Sequence, residues 1–429
     1  MLQRRLIIAV SLICCTVGAA RGQTPRPLSL KQAQDLALTN HPQIKAAAFR
    51  ALAARAVVVQ IKSVYFPTVQ GALTGAEAES GSRIEAGLLN NPTVFARYAN
   101  GISVSQFITD FGHTGKLVES SNLRASSEDE NTVATRADIL VAVDQAYFGA
   151  LRAQSVLAVA QETVAARQSV VDQVSALEKS GLKSGLDLSF AEVNLAQAKL
   201  LLIGAQNESD AAFALLTAAL GLSGDQTYTL EEEPMPGAMA GSVTSLIDQA
   251  MHDRPDLLAL RFNRDADFEF AEAERRLWYP TISSVGVAGE SPVHATALPN
   301  TYVAAAINVS IPIFNGHLFS ARRAEAEANA QASNQVVKNQ ENLISRDVKV
   351  AWLNASTAYQ ALAVTAQFLA QATQSMTLAR ARYDLGLSSI VELSQAQLNL
   401  TQAQLADASA KYDYQTRRAE LDYQIGALH

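Results

Sequence analysis

Three titratable side chains surround two short glycine turns. Asp187 lies six residues after Gly181, Tyr383 three before Gly386, and Glu392 six after Gly386. A phenol and two carboxylates at such places suit hydrogen-bonded ties and fixed negative charge rather than bond-making catalysis. Each also has an ordinary structural use. Tyr383 continues a heptad seam, while Asp187 and Glu392 stand near helix starts, where capping and the helix dipole favour an acid. Elsewhere the reactive residue types are scattered. His41, His113, His252, His294, His317 and His429 have no paired metal-ligand spacing, and no GxGxxG, GxxxxGK[ST], GxSxG or HExxH occurs. Glu231, Glu232 and Glu233, beside Pro234 and Pro236, read as a solvated loop rather than a metal site. The chain reads as a non-enzyme with no metal or cofactor.

The elements that position these residues follow from composition and repetition. The 429 residues are 48% hydrophobic but only 6% aromatic and 17% charged, an alanine-rich balance that favours long helices. A formal charge of −7 with no basic stripe argues against a nucleic-acid partner. Residues 1–22 read as a secretory signal: Arg4 and Arg5, an apolar stretch over 6–17, then Gly18-Ala19-Ala20. Cys14 and Cys15 both fall inside it, so the exported chain is expected to carry no disulfide and no cysteine metal site. No later run of 18 apolar residues occurs, so a membrane-spanning helix is not expected.

The chain repeats itself. At an offset of 213, Tyr65-Phe66-Pro67-Thr68 falls on Trp278-Tyr279-Pro280-Thr281. At an offset of 205, Gly181 falls on Gly386, Leu182 on Leu387, Tyr147 on Trp352 and Gly221 on Gly426. Two copies, 28–222 and 243–428, are joined by a connector over 223–242. Each copy holds two shorter helices split by Pro42 or Pro255, then two strands, then a helical hairpin. The strands are expected at about 67–78 and 100–110, and at about 280–290 and 301–313. The long helices are expected over 113–180 and 317–384 and the return helices over 186–221 and 389–426. Each 68-residue helix would reach about 100 Å at ~1.5 Å per residue. Val143, Ala150, Leu157, Val164 and Val171 recur every seven residues, as do Val348, Ala355, Leu362, Leu369, Met376 and Tyr383. That period demands left-handed supercoiling, and alanines in the seam allow close helix approach.

Val303, Ala305, Ile307, Val309 and Ile311 alternate with Ala304, Ala306, Asn308 and Ser310, as in a strand between lipid and a wet lumen. An edge strand of a soluble sheet has the same period. Aromatic clusters at the junctions, with Tyr65, Phe66, Phe107 and Phe111 in one copy and Trp278, Tyr279, Phe314 and Phe319 in the other, favour a membrane interface. Four strands cannot close a barrel and lipid forbids an open edge, so at least two copies are needed; three would give twelve strands. Two function classes stay open here: a transport conduit, or a periplasmic or secreted coiled-coil scaffold.

The duplicated plan, the aromatic-Pro junctions, Val309-Ser310-Ile311-Pro312-Ile313-Phe314-Asn315-Gly316 and Tyr383-x-x-Gly386 resemble the TolC-type outer membrane efflux proteins over residues 28–428. The resemblance implies an α+β membrane protein. It would be a homotrimeric outer-membrane β-barrel continuing into a periplasmic α-helical barrel. Such a duct serves an efflux pump or type I exporter of the inner membrane through a periplasmic adaptor. It implies that Tyr383 and Asp187 tie the closed end and that Glu392 lines the narrowest ring, while the turns with Gly181, Leu182, Gly386 and Leu387 face the adaptor. Two family positions differ here: Ser388 replaces an arginine of the gate network, and Gln395 a second ring acid. One carboxylate per chain would leave an anionic ring of three, with weaker cation preference than six.

Overall fold

The computed structural model describes residues 26–77, 79, 97–224, 228–239, 241–293 and 299–428. The expected signal segment 1–22, residues 78 and 80–96 between the first two long strands, His294 and His429 lie outside the described residues. Along the chain run β1 (Arg26–Leu28), α1 (Leu30–Asn40), α2 (Pro42–Lys62), β2 (Thr68–Ala76), β3 (Arg97–Thr109), α3 (His113–Lys179) and α4 (Gly185–Ala219). There follow β4 (Tyr228–Leu230), α5 (Val243–Asp253), α6 (Pro255–Arg275), β5 (Thr281–Val293), β6 (Thr301–Ser310), α7 (Leu318–Asp384) and α8 (Ile390–Gln424). Pro42 and Pro255 each occupy a first helical turn, where a missing N–H costs nothing.

The long strands form one antiparallel sheet in the order β2-β3-β5-β6. Sequence analysis extends the last strand to 313, but it stops at Ser310, two residues before Pro312, which has no N–H for a ladder. Every residue of β6 is exposed, with Val303 84% and Ile307 72% accessible, so the sheet has no packed face within one chain. Its outer edges, on β2 and β6, are unpaired among the described residues. Aromatic rings gather at the helix end of this sheet: Tyr65 stands 6.0 Å from Phe107, Phe111 6.5 Å from Tyr279, and Trp278 5.5 Å from Phe319.

Below the sheet, α3 with α4 and α7 with α8 form two antiparallel hairpins, and α8 also packs on α3. The 67 residues of α3, and of α7, span about 100 Å at ~1.5 Å per residue. Seam positions Val143, Ala150, Ala160, Val348 and Ala355 are fully buried, and the small alanines set the close approach. α4 is long and apolar enough to cross a membrane by length and composition alone, although it holds no unbroken run of 18 apolar residues. It is, however, the return arm of a hairpin whose other arm carries Arg152, Glu162, Asp172 and Glu178, so lipid around α4 would also meet those charges. Leu186, Phe190, Val193, Leu200, Ile203 and Leu215 along α4 are exposed in the single chain.

A feature the periodicities do not reveal closes the middle of the molecule. β1 and β4 pair in parallel, Leu28 opposite Leu230, joining the start of the first repeat to the connector. The fully buried Tyr147 holds the pair. Its hydroxyl lies 2.8 Å from the Leu28 carbonyl and 2.7 Å from that of Glu231, and accepts the Glu231 N–H at 3.1 Å. Burial pushes this phenol up to about 12. The acidic run is not simply a solvated loop. Glu232 pairs with Lys411 at 2.7 Å, and Glu233 accepts the Leu30 N–H at 3.2 Å.

Candidate functional site

The two hairpin tips are built alike. At the end of α3, Leu182 N–H donates to the Leu177 carbonyl at 2.9 Å and Gly181 N–H to Glu178 at 2.9 Å. At the end of α7, Leu387 donates to Arg382 at 2.8 Å and Gly386 to Tyr383 at 3.0 Å. Both are Schellman closures, which require positive φ at the residue after the cap. Gly181 and Gly386 each have φ 73°, with no neighbouring atom that a Cβ would meet. Glycine is needed there for its backbone freedom, not for space.

The next helices begin differently, and the difference sorts the acids. Ser184 and Asp187 form a reciprocal capping box: Asp187 Oδ2 accepts from Ser184 N at 3.1 Å and Ser184 Oγ at 2.9 Å. Ser389 caps α8 by accepting the Glu392 N–H at 3.4 Å, but the Glu392 carboxylate does not return to it. It turns across the hairpin to Arg382, whose Nε lies 3.1 Å away.

Tyr383 is 3% exposed and packs with Val170, Val174, Ala191, Ile390 and Leu393, while the Lys183 ammonium lies 4.2 Å from its ring centroid. Its hydroxyl is buried with no hydrogen-bond partner among the described residues. Desolvation raises its pKa, and the charges of Asp187 and Asp384 raise it further. The direct tie between Tyr383 and Asp187 implied by the family resemblance is not made within one chain. The capping box occupies Oδ2 and holds the carboxylate at its own helix start. Ser388 Oγ is likewise buried without a partner among the described residues, so it does not replace the missing arginine.

Other ties hold the hairpins side by side. Gln173 donates to Asp384 at 3.2 Å and Asn194 to Ser394 Oγ at 2.8 Å. Sequence reasoning missed Arg382, Ser184, Gln173 and Asn194. Ser184 alone had a readable signal, as a serine three residues before an acid at a helix start. One face of the α7–α8 tip is an open groove of about 860 Å³ lined by Gln371, Gln374, Arg382, Glu392, Gln395 and Asn399, among others. The extreme ends are apolar and bare: Leu182 is 72% exposed and Leu387 67%. Fixed charge and bare leucines at these tips can bind a partner or restrict passage.

Known proteins resemble this chain over most of its length. Outer membrane protein OprJ of Pseudomonas aeruginosa is 23% identical over 377 residues, covering 86% of this chain and 78% of its own. Alkaline protease secretion protein AprF of the same organism is 25% identical over 426 residues, covering 94% and 85%. The crystal structure of the Campylobacter jejuni CmeC outer membrane channel superposes with a TM-score of 0.79 at 17% identity, covering 99% of this chain and 94% of that one. The outer membrane efflux protein pattern matches residues 33–222 and 246–427, both copies of the repeat. With the open four-stranded sheet and the paired long hairpins, that match makes the chain a member of the outer membrane efflux protein family.

Proposed function

We propose that three copies of this chain join edge to edge, β6 of one against β2 of the next, so that three four-stranded sheets close a twelve-stranded barrel. As a family member the protein is an outer-membrane channel reaching into the periplasm, the exit duct of an efflux pump or type I secretion system. The scaffold alternative falls with that membership. One observation carries the closure between chains, a sheet with two open edges and no packed face joined to helices about 100 Å long, and the number three rests on the family resemblance. Lipid tolerates no open sheet edge, so the edges must meet across chains. The exposed apolar row on α4 supports the same reading, since a neighbouring copy would cover it.

The tips form the inner, constricted end of this duct. Tyr383, Asp187 and Glu392 are its gate residues, and Gly181, Leu182, Gly386 and Leu387 meet a periplasmic adaptor that connects to the inner-membrane pump or exporter. The bare leucines beside rigid glycine closures support an adaptor contact, because they leave apolar surface with nothing in the chain to cover it. Native mass in detergent, conductance in planar bilayers, and crosslinking from Leu182 and Leu387 test this reading. A three-chain conducting species that captures an adaptor is expected. A monomer without conductance would overturn the duct assembly, and a conducting trimer with silent tips would overturn the adaptor contact.

A further inference from the structure

Counting only acids at the constriction leaves three unopposed Glu392 carboxylates. The fold places a cation beside each. Arg382, in the last turn of α7, and Glu392, in the first turn of α8, are ten residues apart, and the Schellman turn at Gly386 brings their side chains to 3.1 Å. Between them in sequence, Tyr383 and Ile390 point the other way into the core with Leu393, so the pair stands on the open face of the hairpin. Among the described residues, Arg382 and Glu392 are the only charged ones lining the groove there; Gln371, Gln374, Gln395 and Asn399 contribute neutral amides. Of the other charges at the tip, Asp187 bonds to Ser184, Asp384 to Gln173 and Lys183 stands over the Tyr383 ring, while Glu178, Lys179 and Arg380 do not line this groove.

We propose that Arg382 is a selectivity-setting residue, compensating Glu392 so that the narrow end of the duct is a ring of ion pairs with little preference between cations and anions. This rests on the reading that Glu392 lines the constriction. The compensation does not need a tight pair. The two side chains are 57% and 45% exposed, so the contact itself adds little to stability. Both charges ride on one hairpin, however, and their sum stays zero when salt loosens the contact. A guanidinium also keeps its proton across the whole physiological range.

The test is the cation-to-anion permeability ratio of the purified duct in planar bilayers under a salt gradient. It compares the wild type with Arg382→Gln, Glu392→Gln and the double variant. Three unit charges about 7 Å from an ion on the axis, screened by ~0.1 M salt, change its local concentration by about fivefold. The wild-type ratio should lie near one. Arg382→Gln should raise it at least about fivefold and Glu392→Gln lower it by a similar factor, with the double variant returning to the wild-type value. A ratio that falls with Glu392→Gln but ignores Arg382→Gln would overturn the compensation while keeping Glu392 at the constriction. A ratio that ignores both would remove Glu392 from the constriction and the inference with it. Both positions are exposed, so equal trimer yield on native gels is the accompanying control.

Discussion

Replacing Tyr383 with Phe removes one oxygen from a site that is otherwise left intact. The ring keeps its packing on Val174, Ile390 and Leu393, and Lys183 keeps its place over the ring face. In the chain as folded the hydroxyl is orphaned, and a buried unsatisfied donor costs roughly 1–3 kcal/mol. In the closed end the proposed acceptor is Asp187, through Oδ1, since the capping box uses Oδ2. A hydrogen bond to a carboxylate contributes about 1.5–3 kcal/mol, so three tyrosines contribute about 4.5–9 kcal/mol to closure. At about 1.4 kcal/mol per factor of ten, losing them raises the open fraction roughly a thousandfold or more. Relief of the orphaned hydroxyl in the untied state acts in the same direction. Resting conductance of the purified protein in planar bilayers is the readout, with the thermal midpoint expected not to fall. Tyr383→Ala should instead lose about 3–5 kcal/mol of packing and move both quantities. Unchanged conductance for Tyr383→Phe at normal trimer yield would refute the tie and leave Tyr383 as seam packing. Asp187→Ala is a poorer probe, because it also removes the N3 half of the Ser184 capping box.

Gly181→Ala and Gly386→Ala force a Cβ onto φ 73° and should each cost about 1–2 kcal/mol, seen as faster hydrogen exchange at that tip alone. Tyr147→Phe should cost about 0.5–1.5 kcal/mol by removing the hydroxyl bonds to Leu28 and Glu231, while the Glu231 N–H still donates to the Leu28 carbonyl at 3.1 Å, so exchange protection across β1 and β4 should weaken rather than vanish. Burial raises the Asp144 carboxyl from 3.8 to about 6, against a lowering contact from Gln34, with Asp422 adding to the rise. The folded state then holds this proton more tightly than the unfolded one. The associated stability is fully present below 3.8 and is lost as pH rises through about 6. That loss is at most ~3 kcal/mol, and Asp144→Asn should flatten the denaturant midpoint across this window while raising it at neutral pH.

Much of this fold is legible in the sequence because its physics is local or periodic. The seven-residue spacing of Val143, Ala150 and their counterparts is a property of a helix packed on helices, whatever the rest of the chain does. Gly181 and Gly386 mark their turns because only glycine adopts positive φ without strain, and the 205-residue offset between them exposes the duplication. The edges of the sheet were implied by counting four strands. What was not legible depends on pairs that meet only in three dimensions. β1 and β4 are three residues each and 202 positions apart, too short for any period to show. Asp187 and Glu392 look alike in sequence, each three residues after a serine that caps its helix. Folding gives the first to its own cap and the second to Arg382, because a carboxylate's partner is set by angstrom-scale geometry across a turn. Sequence alone therefore determined the duct's plan and the position of its tips. Only the tertiary structure decided which charges there stand alone and which are already matched.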